Sequence, residues 1–141
     1  MGCVSSANYA ILINGEPTIF FKGKRGLRQG CTLSPLLFFL VMEVLSRMIQ
    51  KTILEGRIKG VKISADIIVS HLLFVDDVLL LGYGTREEWS VSKEIIDLFC
   101  NCLGMEISVI KSCFVYEGMT IEDIIHIQNI FSIEASPLEI G

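Results

Sequence analysis

His71-Leu72-Leu73-Phe74-Val75-Asp76-Asp77-Val78-Leu79-Leu80-Leu81-Gly82 sets two adjacent carboxylates between two short apolar runs. Residues 72–75 and 78–81 are rich in Leu, Val and Phe and are closed by Gly82 and Gly84, so both read as buried strands, being too short for helices. A tight hairpin with Asp76 and Asp77 at its tip joins them. Neighbouring residues on a strand face opposite ways, so the two acids need not share one task. Aspartates at a strand end also serve as turn residues that bond their own backbone. Charges flanked by strands this apolar are costly unless a cation or hydrogen bonds compensate them, and carboxylate oxygens suit Mg²⁺. Phosphate chemistry is therefore the first functional expectation.

Downstream, Thr85 is placed to cap a helix with Glu87 and Glu88 in its first turn, a stripe of Trp89, Val91, Ile95, Ile96, Leu98 and Phe99, and a stop at Gly104. Residues 105–110 and 112–116 read as short strands around Lys111, and Thr120 opens a last helix to about residue 131. Residues 132–141 carry no clear pattern. Upstream, residues 56–68 read as a turn and an irregular strand carrying Lys59, Lys62 and Asp66.

Before that, Ser34 is an N-cap candidate with Pro35 at the first helical position, opening a helix to about residue 54. It is apolar nearly all round through Met42, and Glu43, Arg47, Gln50 and Lys51 then mark a wet side. Residues 22–30 carry four basic side chains and three glycines with no acid. Such a loop lets backbone approach a phosphate, and the helix N-terminus just beyond it adds to an anion site; a solvated basic loop is the plainer alternative. At the start, Asn14-Gly15 predicts a two-residue hairpin turn between strands at 9–13 and 18–21.

The chain has 141 residues, enough for one domain with a core. Half its residues are hydrophobic (51%), and a mean hydropathy of +0.57 implies surfaces that something else covers. The longest unbroken apolar run, residues 36–42, is too short to span a bilayer, and no signal peptide is visible, which leads us to expect an intracellular protein, nuclear or cytoplasmic. Met1-Gly2-Cys3-Val4-Ser5-Ser6 fits a myristoylation pattern only formally. Five cysteines without a C-x-x-C pair argue for reduced thiols over a zinc site or disulfide framework. A net charge of −4 excludes nucleic-acid binding by overall basicity and leaves room for a local basic patch.

Taken together, Arg25-Gly26-Leu27-Arg28-Gln29-Gly30-Cys31-Thr32-Leu33-Ser34-Pro35-Leu36-Leu37-Phe38, then Phe74-Val75-Asp76-Asp77, then Leu103-Gly104-Met105-Glu106-Ile107-Ser108-Val109-Ile110-Lys111-Ser112 closely resemble the palm of reverse transcriptases. With the hairpin at residues 11–17, the version is similar to plant non-LTR (LINE-type) retrotransposons, and the likeness covers about residues 3–116. The resemblance implies an α+β fold: a partial polymerase palm whose antiparallel sheet, carrying the Asp-Asp hairpin, packs against two or three helices. It implies RNA-directed DNA polymerase chemistry on an RNA template, a DNA primer and dNTPs, with Mg²⁺, or Mn²⁺ in its place, stabilising entering and leaving oxygens. Asp76 would be the metal ligand, Asp77 the supporting acid, and Lys111 the cation beside the leaving pyrophosphate. Gln29, Gly30, Ser34 and Pro35 would lie against template and nucleotide, with Arg25 and Arg28 as backbone or triphosphate contacts.

Departures from the family pattern set a further expectation. Cys31-Thr32 stands where plant elements carry Asp-Pro, and Val75 where they carry a small alanine. A second metal-binding aspartate is expected on an earlier strand, which residues 1–141 do not supply, and Asp66 is badly placed to replace it. We expect residues 1–141 to be a single partial palm domain without fingers or thumb, inactive alone. A non-catalytic remnant or interaction module is the main alternative. A Mg²⁺-dependent phosphoacceptor receiver domain is a remote one, because its third aspartate would have to be Asp123, at a helix start.

Overall fold

The computed structural model describes residues 8–23 and 30–138. They divide into two compact units, the first through Phe39 and the second from Leu40.

The first unit is built on the Asn14-Gly15 turn. Both residues take positive φ (51° and 88°), as a two-residue turn matched to strand twist requires, and they join β2 (Leu12–Ile13) to β3 (Glu16–Pro17). Farther out, β1 (Asn8–Tyr9) pairs with β4 (Phe21–Lys22). Ile11 and Thr18 remain opposite each other, the Thr18 N–H donating to the Ile11 carbonyl at 2.9 Å. Tyr9 faces Phe21, so Ala10 opposes both Ile19 and Phe20. That extra residue is a β-bulge, and it explains why the return strand expected at 18–21 is broken: pairing resumes only at Phe21. Tyr9 and Phe21 stack at 6.0 Å across it.

Helix α1 (Leu33–Leu54) starts in the first unit and continues into the second. It opens earlier than Ser34 and Pro35 predict, placing both inside its first turn, where proline still costs no intrahelical hydrogen bond. Met42, Leu45, Ile49 and Thr52 form its buried stripe at helical spacing. Glu43, Arg47, Gln50 and Lys51 are exposed, as the sequence indicates, and Arg47 pairs with Glu43 at 2.9 Å. By length and composition alone α1 could cross a membrane, which an unbroken-run criterion overlooks. Only 17% of its most apolar stretch is buried within the structure.

In the second unit, residues 56–68 form more than an irregular strand: β5 (Val61–Lys62) and β6 (Ile68–Val69) make a small antiparallel hairpin. Next come β7 (His71–Phe74) and β8 (Asp77–Leu80), then α2 (Arg86–Leu103). Thr85 caps α2 by accepting from the Glu88 N–H, and Gly104, at φ 66°, ends it by donating to the Cys100 carbonyl. No strand forms at 105–110; a 3₁₀ turn (Val109–Lys111) leads into β9 (Cys113–Tyr116). Thr120 caps α3 (Ile121–Phe131).

The sequence reading missed β10 (Glu134–Pro137), which lies parallel to β9 with Ala135 opposite Phe114. The α3 crossover between these strands buries Ile127 completely, against Trp89 and Phe114. Trp89 meets Phe114 edge-on at 5.5 Å and Phe131 at 6.1 Å. Among the described residues the strands form separate two-stranded pairs, four antiparallel and one parallel, in place of the single antiparallel sheet expected.

Candidate functional site

Phe74 pairs with Asp77, so the hairpin turn is Val75-Asp76, one residue earlier than the expected Asp76-Asp77 tip. Asp76 sits in the turn and Asp77 begins β8. Val75 takes φ 54°, a left-handed conformation that a β-branched side chain adopts only under strain.

Pairing also sorts the faces. His71, Leu73, Val78 and Leu80 share one face; Leu72, Phe74, Asp77 and Leu79 share the other. Every residue of the second face is exposed, Phe74 to 77%. The strands are therefore not buried on both sides as their composition suggested. Their apolar runs supply one half-buried face, with Val78 at its exposed edge, and one open face, on which Asp77 stands. Among the described residues neither Asp76 nor Asp77 takes part in an ion pair or a side-chain hydrogen bond. An exposed pair of uncompensated carboxylates fits one Mg²⁺ that shares its shell with water or phosphate. Among the described residues no group of three His, Cys, Asp or Glu side chains is gathered for a metal, so this donor set is short of what two ions would need.

Sequence reasoning missed what holds the base of the hairpin. Each His71 ring nitrogen lies 2.9 Å from a serine hydroxyl, Nε2 from Ser46 on α1 and Nδ1 from Ser70. Burial pushes the imidazole below its usual value. Where β8 ends, Leu81 donates to the Ser70 carbonyl at 2.8 Å. Glu88, read from the sequence as an acid in the first turn of α2, is only 4% exposed. Its Oε1 accepts the Lys59 and Gly60 N–H groups at 2.9 and 3.2 Å, and its Oε2 accepts the Tyr83 N–H at 3.0 Å. The signal for it in sequence was weak: one acid among two in a helix start, with its partners on backbone.

The remaining candidates are scattered. Lys111 is exposed at the end of the 3₁₀ turn and forms no ion pair among the described residues. Gly30, at φ 77° with open space where a Cβ would go, Ser34 and Pro35 belong to the first unit, whereas Asp76, Asp77 and Lys111 belong to the second. Arg25, Arg28 and Gln29 lie outside the described residues. Asp123 accepts from the Thr120 hydroxyl at 2.6 Å and from Arg86, also at 2.6 Å, which in that order lower its pKa, and it lies at a helix start, not a strand end.

Residues 3–134 match the family described as reverse transcriptase (RNA-dependent DNA polymerase). The chain belongs to the reverse transcriptase family. This reverse transcriptase chain is also 45% identical over 67 residues to an uncharacterized mitochondrial protein of Arabidopsis thaliana, a match covering 47% of the chain and 55% of that protein. It therefore spans about half the length of the curated relative it matches. Reverse transcriptases polymerise nucleotides on a nucleic-acid template and generally use divalent metals.

Proposed function

We propose that this chain is palm-type reverse transcriptase of the plant non-LTR (LINE-type) class, in which Asp76 and Asp77 hold Mg²⁺ for RNA-directed DNA synthesis. The observation that carries the reading is the hairpin itself: two exposed carboxylates, uncompensated among the described residues, in a chain of this family. The bound ion would neutralise charge on a nucleotide phosphate and support nucleotidyl transfer between a primer 3′-hydroxyl and a dNTP on an RNA template. Asp76, in the turn, is the metal ligand, and Asp77 supports it from the first position of β8. Lys111 is the cation for the leaving pyrophosphate, while Gly30, Ser34 and Pro35, with Arg25, Arg28 and Gln29, contact template and nucleotide. Because the described residues hold no third carboxylate with this pair, the 141-residue chain is expected not to extend a primer alone. We place it inside the cell, as Cys100, Cys102 and Cys113, none of them in a disulfide among the described residues, favour.

Mn²⁺ titration followed by paramagnetic broadening of backbone amides tests the metal reading. Broadening centred on Asp76 and Asp77, lost in Asp76→Asn, is the expected result; none in the wild type would sink it. Primer extension on a primed RNA template with Mg²⁺ tests the other half, and extension abolished by Asp76→Ala would overturn the claim of inactivity. A second reading, a non-catalytic interaction module, is favoured by the open apolar face of Leu72, Phe74 and Leu79.

A further inference from the structure

We propose that Glu88 is a positioning residue for the Asp76–Asp77 hairpin, locking the outgoing end of β8 so that the two carboxylates are presented at a fixed reach. Two independent observations meet at this side chain. Its carboxyl group gathers three backbone N–H groups from two separate segments, Lys59 and Gly60 before β5 and Tyr83 after β8. Of the three, the Gly60 N–H is buried and would be left unpaired without the carboxylate, while the Lys59 and Tyr83 bonds are only partly buried. The second observation is steric: a Cβ at Gly82 would come within 3.0–3.2 Å of the Glu88 carboxyl atoms. Backbone at Gly82 thus passes close over the carboxylate, so a side chain there would push the Glu88 carboxyl group aside by a few tenths of an ångström.

The hairpin is a paired ladder from Ser70–Leu81 to Phe74–Asp77 and transmits its anchorage as a unit. With His71 tied to Ser46 on the incoming strand, the ladder is held at its base on both sides, while its tip is free of side-chain partners among the described residues. Glu88 is too remote in the ladder to touch a metal at Asp76; it acts through Tyr83, Gly82 and β8. The proposal rests on the metal reading above only for what the hairpin presents.

The test uses Glu88→Gln in the 141-residue chain. One oxygen remains to accept from Lys59 and Gly60, whereas the Tyr83 N–H faces an amide NH₂. Residue-resolved amide exchange should then accelerate roughly tenfold or more at Leu81, Tyr83 and the β7–β8 ladder, with the Trp89, Phe114 and Ile127 amides unchanged. Mn²⁺ broadening at Asp76 and Asp77 should need a correspondingly higher Mn²⁺ concentration. If the hairpin amides do not accelerate, or if hairpin and core accelerate by one common factor, the proposal fails. It also fails if the hairpin loosens and Mn²⁺ affinity stays at the wild-type value. A wild type that shows no Mn²⁺ broadening removes the metal reading, and the exchange pattern still decides the positioning role. Should Glu88→Gln not fold, Gly82→Ala, which keeps the carboxylate and displaces it, must give the same local pattern.

Discussion

Replacing Gly60 and Gly56 separately by alanine divides the backbone cost of a left-handed residue from the cost of crowding. Both glycines have positive φ, 66° and 72°. A Cβ at Gly56 meets nothing within 4 Å, so Gly56→Ala should lose only the conformational term, about 1 kcal/mol. A Cβ at Gly60 would lie 3.0 Å from the Val69 carbonyl oxygen, 3.0 Å from Ile68 Cγ2 and 3.1 Å from Ser70 Cβ. Backbone oxygen of a paired strand cannot swing aside as a side-chain tip can, and the Gly60 N–H is itself bound to Glu88. Overpacking of this kind adds about 1–3 kcal/mol, so Gly60→Ala should be destabilised by about 2–4 kcal/mol in total. Urea unfolding followed by the fluorescence of Trp89, the sole tryptophan, reads both variants, and each kcal/mol corresponds to about 4 °C in Tm at this chain length. Equal losses in the two variants, or a milder loss at Gly60, would refute the steric argument and with it the close approach of the 58–60 segment to β6.

Three further predictions follow the same geometry. His71 is held by burial below its ordinary value of 6.5, so the unfolded chain takes up the proton first as pH falls. The stability it contributes is full above about pH 6.5 and is lost as pH drops from there through the lowered folded value; thermal melts between pH 5 and 8 should show the loss, and His71→Gln should flatten that part of the profile. Val75→Asn should stabilise the protein by about 0.5–1 kcal/mol, because asparagine tolerates a positive φ that strains valine; a lower Tm would contradict the turn assignment. Phe114→Ala should cost about 3–5 kcal/mol, and loss of the near-ultraviolet dichroism of Trp89 would report the opened core.

Local signals were legible in the sequence where one or two residues decide a conformation. Asn14-Gly15, Thr85, Gly104 and Thr120 each do what their chemistry requires, and the helices that Thr85, Gly104 and Thr120 bound lie where the sequence places them. Legibility failed where the decision lay in distant pairing. Glu134-Ala135-Ser136-Pro137 has no strand propensity of its own and becomes β10 only because β9 offers it a parallel edge. Met105 and Ile107, though apolar, find no strand partner and stay irregular. The one-residue difference at Val75-Asp76 is a matter of register, which composition does not encode when both flanks are apolar. At the candidate site, the acids were visible as a motif. Their anchor was not, because Glu88 works on backbone N–H groups that carry no sequence signature.

The parallel pairing of β9 with β10 also bears on how the chain is made. A parallel pair cannot close as a hairpin does; it must wait for the whole α3 crossover and then for residue 134 to leave the ribosome. Until then Phe114 lacks the strand that lies beside it and Trp89 lacks part of its enclosure, although α2 and the β7–β8 hairpin are already complete. Newly made protein thus passes through a stage with finished local elements and an open aromatic core, and that interval is when a chaperone, or a second nascent chain, has the most apolar surface to seize.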